Sequence, residues 1–288
     1  MKTYFKLGVS AVALLGAALY LTPAMADGNN VTAGNHQWSS TGSISIDGDN
    51  AAMIADQVLQ YASGNIGVNN ASGNLNSQAN VAAVASTNDF FTNRNAKVWS
   101  SQKSDHSWSI SVIPGNKAEL KDSVLQNASG NIGVNNVAGD GNAQANLLSV
   151  LNQGVKHPFF NYAGASAADS HMSQHIDDSF SGSGIMSNTA KLETNVLRYA
   201  TGNIGVNNAA GNANMQANGA VVVATDGLLG EVSGSVHQGV EGISFNLFTN
   251  NYARLDDNVL QNASGNIGVN NVAGNANAQV NMLSVGNE

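Results

Sequence analysis

Seven residues, Gly-Asn-Ile-Gly-Val-Asn-Asn, occur four times without change, beginning at Gly64, Gly130, Gly202 and Gly265. A repeat of this kind restricts a chain to architectures in which one supersecondary unit is copied and the copies bury one another. The likeness extends well beyond that heptapeptide. Val58 to Asn80 returns as Val124 to Asn146, Val196 to Asn218 and Val259 to Asn281. Upstream, an alanine stands six residues before each valine (Ala52, Ala118, Ala190, Ala253) and an Ile or Leu four before it (Ile54, Leu120, Leu192, Leu255). The repeats are therefore read as 52–85, 118–151, 190–223 and 253–288, starting 66, 72 and 63 residues apart. Spacers 86–117, 152–189 and 224–252 separate them, and a lead-in, 27–51, precedes the first.

Within a repeat the pattern has period two, the signature of a strand. In the first copy Ile66 and Val68 share one face, while Asn65, Gly67 and Asn69 share the other. Residues 69–74 have the Asn/Gly/Ser composition of a turn. After them Asn74, Asn76, Gln78 and Asn80 alternate with Leu75, Ser77, Ala79 and Val81. This predicts three short strands per repeat, about 52–62, 65–69 and 74–84 in the first copy, with bends near Gly64 and Gly73. Gly and Asn in every window argue against helix. The spacers hold Ser-rich alternating segments with large apolar residues (38–46, 108–113, 180–186 and 243–248), each preceded by a histidine: His36, His106, His175 or His237. These read as extra edge strands, less faithfully copied. Segments 90–95 and 157–162 read as loops. The expected fold is all-β: a repeat-based β-solenoid or cross-β stack of four imperfect repeats with less ordered spacers.

A buried row of side-chain amides is costly unless each finds a partner. Stacking identical strands about 4.8 Å apart supplies one, because every amide then meets its own copy in the next layer. The predicted ladder in the first repeat is Asn65, Ile66, Val68, Asn76, Gln78 and Asn80; in the second it is Asn131, Ile132, Val134, Asn142, Gln144 and Asn146. The third supplies Asn203, Ile204, Val206, Asn214, Gln216 and Asn218, and the fourth Asn266, Ile267, Val269, Asn277, Gln279 and Asn281. Only 10% of residues are charged, as stacking demands, since like charges at that spacing repel. The fourth repeat continues to the last residue, which leaves no room for a cap. An uncapped stack whose end resembles its start forms a heterologous, non-closing contact, and so the chain is expected to polymerise with itself.

The first 26 residues read as a secretory signal peptide. Lys2 and Lys6 precede an uncharged apolar run from Leu7 to Leu21, followed by Ala24-Met25-Ala26. The run is short for a transmembrane helix, and no later segment offers about 20 apolar residues, so the protein is not expected to be membrane-embedded. Removing the signal takes the formal charge from −8 to −10, because Lys2 and Lys6 are its only charged residues. An acidic chain without a basic stripe is a poor ligand for nucleic acid. Cysteine is absent, so no disulfide staples an exported fold.

Nothing in the chain suggests an enzyme. Acidic residues are scattered, the serines lack a nucleophile context, and Gly-Asn-Ile-Gly lacks the lysine and strand–loop–helix setting of a nucleotide loop. No cofactor or metal is implied. His171 and His175, with Asp177 and Asp178 nearby, have a spacing that binds metal on a helix, but the Ser/Gly surroundings do not support one. The preferred reading is a solvated spacer. The histidines preceding the repeats are alternatively pH-responsive.

The segments Gly64 to Asn74 and Asn76 to Asn80 resemble the repeats of bacterial Fap-type functional amyloid subunits. In that family imperfect Asn/Gln/Ala/Gly-rich repeats alternate with linkers behind a signal peptide. The resemblance implies export through an outer-membrane pore, extracellular β-rich fibrils at the cell surface, related fibril subunits as partners, and a place in biofilm matrix and surface adhesion. The family's major subunit typically carries three repeats and a C-terminal Cys-x-x-Cys, whereas this chain has four and no cysteine. A major subunit, a minor or nucleating one, and a monomeric solenoid adhesin all remain open.

Overall fold

The computed structural model describes residues 30–39, 42–45, 49–73, 75–87, 94–105, 108–111, 115–153, 166–225 and 230–286. The signal-peptide segment 1–26 and the loop readings at 90–93 and 157–162 lie outside the described residues. Every regular element described is a strand, and the strands fall into four successive layers, here called rungs. Rung 1 holds β1 (Asn30–Ser39), β2 (Gly42–Ser45), β3 (Asn50–Ile54), β4 (Ser63–Ser72) and β5 (Ser77–Thr87). Rung 2 holds β6 (Arg94–Asp105), β7 (Trp108–Ser111), β8 (Gly115–Leu120), β9 (Ser129–Ala138) and β10 (Ala143–Gln153). In rung 3 the first three merge into β11 (Ser166–Leu192), followed by β12 (Thr201–Ala210) and β13 (Met215–Thr225). Rung 4 repeats this with β14 (Gly230–Leu255), β15 (Ser264–Ala273) and β16 (Ala278–Gly286).

Equivalent strands of successive rungs pair in parallel. Sheet B is β4-β9-β12-β15, sheet C is β5-β10-β13-β16, and the preceding strands form sheet A. Pairing is in register with the sequence repeat: Gly64, Gly130, Gly202 and Gly265 are direct neighbours, as are Gln78, Gln144, Gln216 and Gln279. A slip by one residue would turn every apolar side chain to the wrong face, and identical residues in each copy hold the register against it.

Each rung is wound as a flat spiral. The first half of sheet A covers one face of sheet C, where Ala96, Val98, Ala168 and Met172 pack on Ala145, Leu147, Leu151 and Val221. Sheet C turns its other face to sheet B. The far side of B meets the second half of sheet A, with Ala52, Ala118 and Ala190 against Ala138, Ala210 and Ala273. Four strand layers thus share three interfaces, and sheets B and C are covered on both faces. This explains why both parities of β9 are buried in the middle of the stack.

Two expectations about the elements need correction. The spacers supply most of sheet A, so a large part of each lies inside the ordered stack. Ala96, Val98, Ser100, Gln102 and Ser104 alternate inward with Asn95, Lys97 and Lys103 outward. Their buried set is small and polar, and so it escapes a reading that looks for large apolar residues. The first strand of a repeat also stops at Ile54, not near residue 62, and β4 runs longer than expected, from Ser63 to Ser72. Between them the backbone bends through an arc in which Asp56, Gln57, Leu59 and Tyr61 all have positive φ. The same four positions are left-handed in every rung, among them Leu125, Leu197 and Leu260. Non-glycine residues in this region cost about 1–2 kcal/mol each.

Two devices hold the arc. Rung-to-rung hydrogen bonds cross it, from the Gln57 N–H to the Asp122 carbonyl (2.9 Å) and from the Tyr61 N–H to the Gln126 carbonyl (3.0 Å). Its inward residues Val124, Leu125 and Ala128 fill a core with Leu120, Ile132 and Val134. Asp and Asn, which tolerate left-handed backbone, occupy several of the positions. The bends predicted near Gly64 and Gly73 divide accordingly. Gly64 lies within β4 just past the arc, and Gly73 begins the turn to β5 with a φ of 108°.

Candidate functional site: columns of stacked amides

The sequence repeat turns into columns of identical side chains running along the stack. The predicted glutamines form one continuous chain of hydrogen bonds. Gln78 Nε2 donates to Gln144 Oε1 (3.0 Å), Gln144 to Gln216 (2.7 Å) and Gln216 to Gln279 (3.2 Å). Gln78, Gln144 and Gln216 also donate across the B–C interface to a backbone carbonyl of sheet B, as Gln144 does to Asn136 (3.2 Å). Asn80, Asn146, Asn218 and Asn281 run beside them with the opposite polarity: Asn146 donates to Asn80 (2.8 Å), Asn218 to Asn146 and Asn281 to Asn218 (both 2.9 Å). Asn131 and Asn203 donate in the same sense in the column that begins at Asn65 and ends at Asn266.

Asn76, Asn142, Asn214 and Asn277 occupy the turn between sheets B and C. There Asn142 Nδ2 donates to Asn76 (2.9 Å) and Asn277 Nδ2 to Asn214 (2.9 Å). Asn142 Oδ1 instead accepts the backbone N–H of Asn214, and Asn214 Nδ2 is left without a partner. On the other parity Ile132, Val134, Ile204 and Val206 are buried against the arc and the end of sheet A, while Ile66, Val68, Ile267 and Val269 in the outer rungs are partly buried. The structure therefore brings all 24 predicted residues into six columns.

Four further columns were not anticipated. Asn69, Asn135, Asn207 and Asn270 are joined by 2.9 Å hydrogen bonds and cross-link to sheet C, Asn135 donating to the Ala79 carbonyl (2.9 Å). Asn70, Asn136, Asn208 and Asn271 stack at 2.8 Å and donate to carbonyls of sheet A. Both were visible in the sequence as the invariant Asn-Asn pair. Gln37, Gln102, Gln174 and Gln238 form a second glutamine chain (2.9, 2.7 and 2.6 Å) that clips sheet A to the sheet C backbone. Its signal was a glutamine 41 or 42 residues before each glutamine of the first chain. Asn50, Asn116, Asn188 and Asn251 complete the set within sheet A.

Glycine is needed where the columns crowd. A Cβ at Gly133 would stand 2.4 Å from Asn80 Oδ1, and one at Gly205 would stand 2.4 Å from Asn146 Oδ1. Along this glycine floor a groove of about 800 Å³ opens between sheets B and C, with the Asn65 column on one wall and Leu148 and Leu283 on the other.

The His171/His175 spacing would suit a metal only on a helix. This segment is a strand, so His171 and His175 both point outward. His171 Nδ1 lies 2.7 Å from Ser235 Oγ, and the Asp178 side chain is outside the described residues. His175, Asp177 and Glu241 bring their ligand atoms within 4.8 Å of one another. Lys103 Nζ stands 3.2 Å from Asp105 and 3.7 Å from Asp177. The hydrogen bond to Asp105 raises the Lys103 ammonium above its ordinary value, so this cation already serves the carboxylates there.

What such an array offers chemically is self-recognition. In the Gln78 column the rung-1 end offers an amide oxygen, Gln78 Oε1, and the rung-4 end an amide donor, Gln279 Nε2, so the two ends match. The open rung-4 edge is visible in burial: Ala79, Ala145 and Ala217 are buried in their column, but Val280 of rung 4 is 45% exposed. Likewise Leu120 and Leu192 are fully buried while Leu255 is 49% exposed. The family model described as functional amyloid protein FapB/FapC matches residues 28–222 and 166–288. The functional amyloid subunit FapC of Pseudomonas aeruginosa is 32% identical over 265 residues, which span 79% of this chain and 74% of that protein. No solved structure matches the chain.

Proposed function

The chain belongs to the FapB/FapC functional amyloid family, and from that premise we propose that it is a secreted fibril subunit that polymerises by adding rung 1 of one copy to rung 4 of another. The observation that carries this reading is the in-register parallel pairing of four near-identical rungs, which leaves the two end rungs each with an unpaired edge. A parallel edge with unused N–H and C=O groups is a template for a further strand. The best-fitting strand available is the equivalent one of a second copy. Continued between molecules, the Gln78 column passes from Gln279 to the next Gln78 without a change of chemistry. The fibril stands outside the cell, as a structural component of biofilm matrix and surface adhesion. Its subunits leave as unassembled chains through an outer-membrane pore, and related subunits share the fibril. The role is structural, not catalytic.

Incubating purified residues 27–288 and following thioflavin fluorescence and electron microscopy tests the reading. Unbranched fibrils with a 4.7–4.8 Å meridional spacing are expected. A chain that stays monomeric at high concentration, or one that adds only to a foreign surface, refutes it in favour of a solenoid adhesin. Replacing Gln78, Gln144, Gln216 and Gln279 by Lys places four ammonium groups at strand spacing and abolishes assembly. Polymerisation of that variant at the normal rate would remove the glutamine column from the mechanism.

A further inference from the structure

Sheet A carries a column of four outward positions in unbroken register: His36 in β1, Ser101 in β6, Ser173 in β11 and His237 in β14. The two inner positions are serine and the two end positions are histidine, both exposed. One further step of the same register sets His36 of a following copy directly over His237, at the strand spacing of about 4.8 Å. Two residues along, the column Trp38, Lys103, His175, Gly239 ends in a complementary way. Trp38 is 60% exposed at the rung-1 end, and the rung-4 end of its column is a glycine. Between these columns Gln238 meets Gln37, so the second glutamine chain continues across the junction.

We infer that the rung-4 edge of sheet A is the docking surface for the rung-1 edge of a second copy, and that the His237–His36 pair makes this contact weaken on protonation. The inference rests on the end-to-end reading above. On its own strand His237 is flanked by Ser235 and Gly239; on β11 it faces Ser173 directly, with His171 and His175 diagonal to it. His36 is flanked by Gly34 and Trp38 and faces Ser101 on β6, with Trp99 and Lys103 diagonal to it. The charged and titratable neighbours are therefore imidazoles and one ammonium. The nearest carboxylates on this face, Asp169 and Asp177 on β11, Asp105 on β6 and Glu241 on β14, stand four residues along the strands; Lys97 pairs with Asp169, Lys103 with Asp105 and Asp177, and His175 lies beside Asp177. Sheet C packs on the opposite face of these strands.

An imidazole changes charge between about pH 8 and 5, and like charges directly opposite across strands are destabilising. Docking is therefore opposed when both rings carry charge. Association has its full strength above the imidazole range and weakens as pH falls through it. Two unit charges at this separation in bulk water change an equilibrium roughly fourfold to fivefold.

Seeded elongation of residues 27–288 at low salt, comparing the native chain with His36→Gln/His237→Gln between pH 8 and 5.5, tests this. The residual monomer concentration of the native chain should rise at least fourfold on acidification, while that of the double variant stays flat. His36→Lys/His237→Lys should raise it at pH 8 as well. If native and glutamine variants respond alike, or the lysine variant elongates normally at pH 8, the pair is not at the junction, although the polymer stands. If the native chain fails to elongate at every pH, the end-to-end reading itself falls.

Discussion

Replacing Gln144 by Met keeps side-chain length and volume and removes only the amide. Gln144 is fully buried; it donates to Gln216 Oε1 and the Asn136 carbonyl and accepts from Gln78 Nε2. After the change Gln216 Oε1 is a buried acceptor without that donor, at about 1–3 kcal/mol. Gln78 Nε2 keeps its bond to the Asn70 carbonyl (2.9 Å), so its loss is near the lower figure, about 1 kcal/mol. The sum is about 3 kcal/mol. Gln279→Met is the internal control. Within one chain Gln279 only accepts from Gln216 and has no rung beyond it, so the cost there is about 1 kcal/mol. In a fibril the next copy covers Gln279, and its cost rises to that of Gln144. Guanidinium dissolution of fibrils, with the midpoint shift converted through the linear slope, measures both. Equal costs in the fibril place the column across the junction, and a Gln144→Met cost below about 1 kcal/mol would refute the claim that the buried amides hold the rungs together.

Other substitutions probe the turn and the arc. Gly139→Ala sets a Cβ 2.1 Å from the Gly211 carbonyl oxygen at a φ of 123°, and should prevent stacking of rung 2 on rung 3, read as loss of protease-resistant core. Leu197→Ala empties a fully buried arc position and should cost about 2–5 kcal/mol. Leu260→Ala, in the partly buried rung-4 arc, should cost visibly less by denaturation of the unassembled chain.

Period and parity were legible because they live in short stretches of sequence. The Ile66/Val68 face, the Gln78/Asn80 face and the turn at Gly73 each follow from neighbours two residues apart. The repeated Asn-Asn pair marks the Asn70 column, but Asn70 sits on the apolar parity, and its burial is intelligible only once sheet A supplies carbonyls opposite it. The arc from Asp56 to Tyr61, by contrast, was hidden. A left-handed Leu59 has no local signature, and its conformation is imposed by hydrogen bonds to the next rung and by the core beneath it. Sheet A was underestimated because Ser100, Gln102 and Ser104 look like linker residues until their inward parity is matched to sheet C.

Partners in this fold stand 63 to 72 residues apart along the chain, and that spacing governs how it forms as well as what it looks like. The first two rungs can meet only after a loop of that length has closed, with no strand pairing to offset the lost entropy beforehand. A chain so dominated by distant contacts nucleates slowly on its own. A finished end removes the obstacle, since each arriving segment finds its partner already ordered. The same register that defines the stack thus sets a slow beginning apart from faster growth on an end that is already ordered.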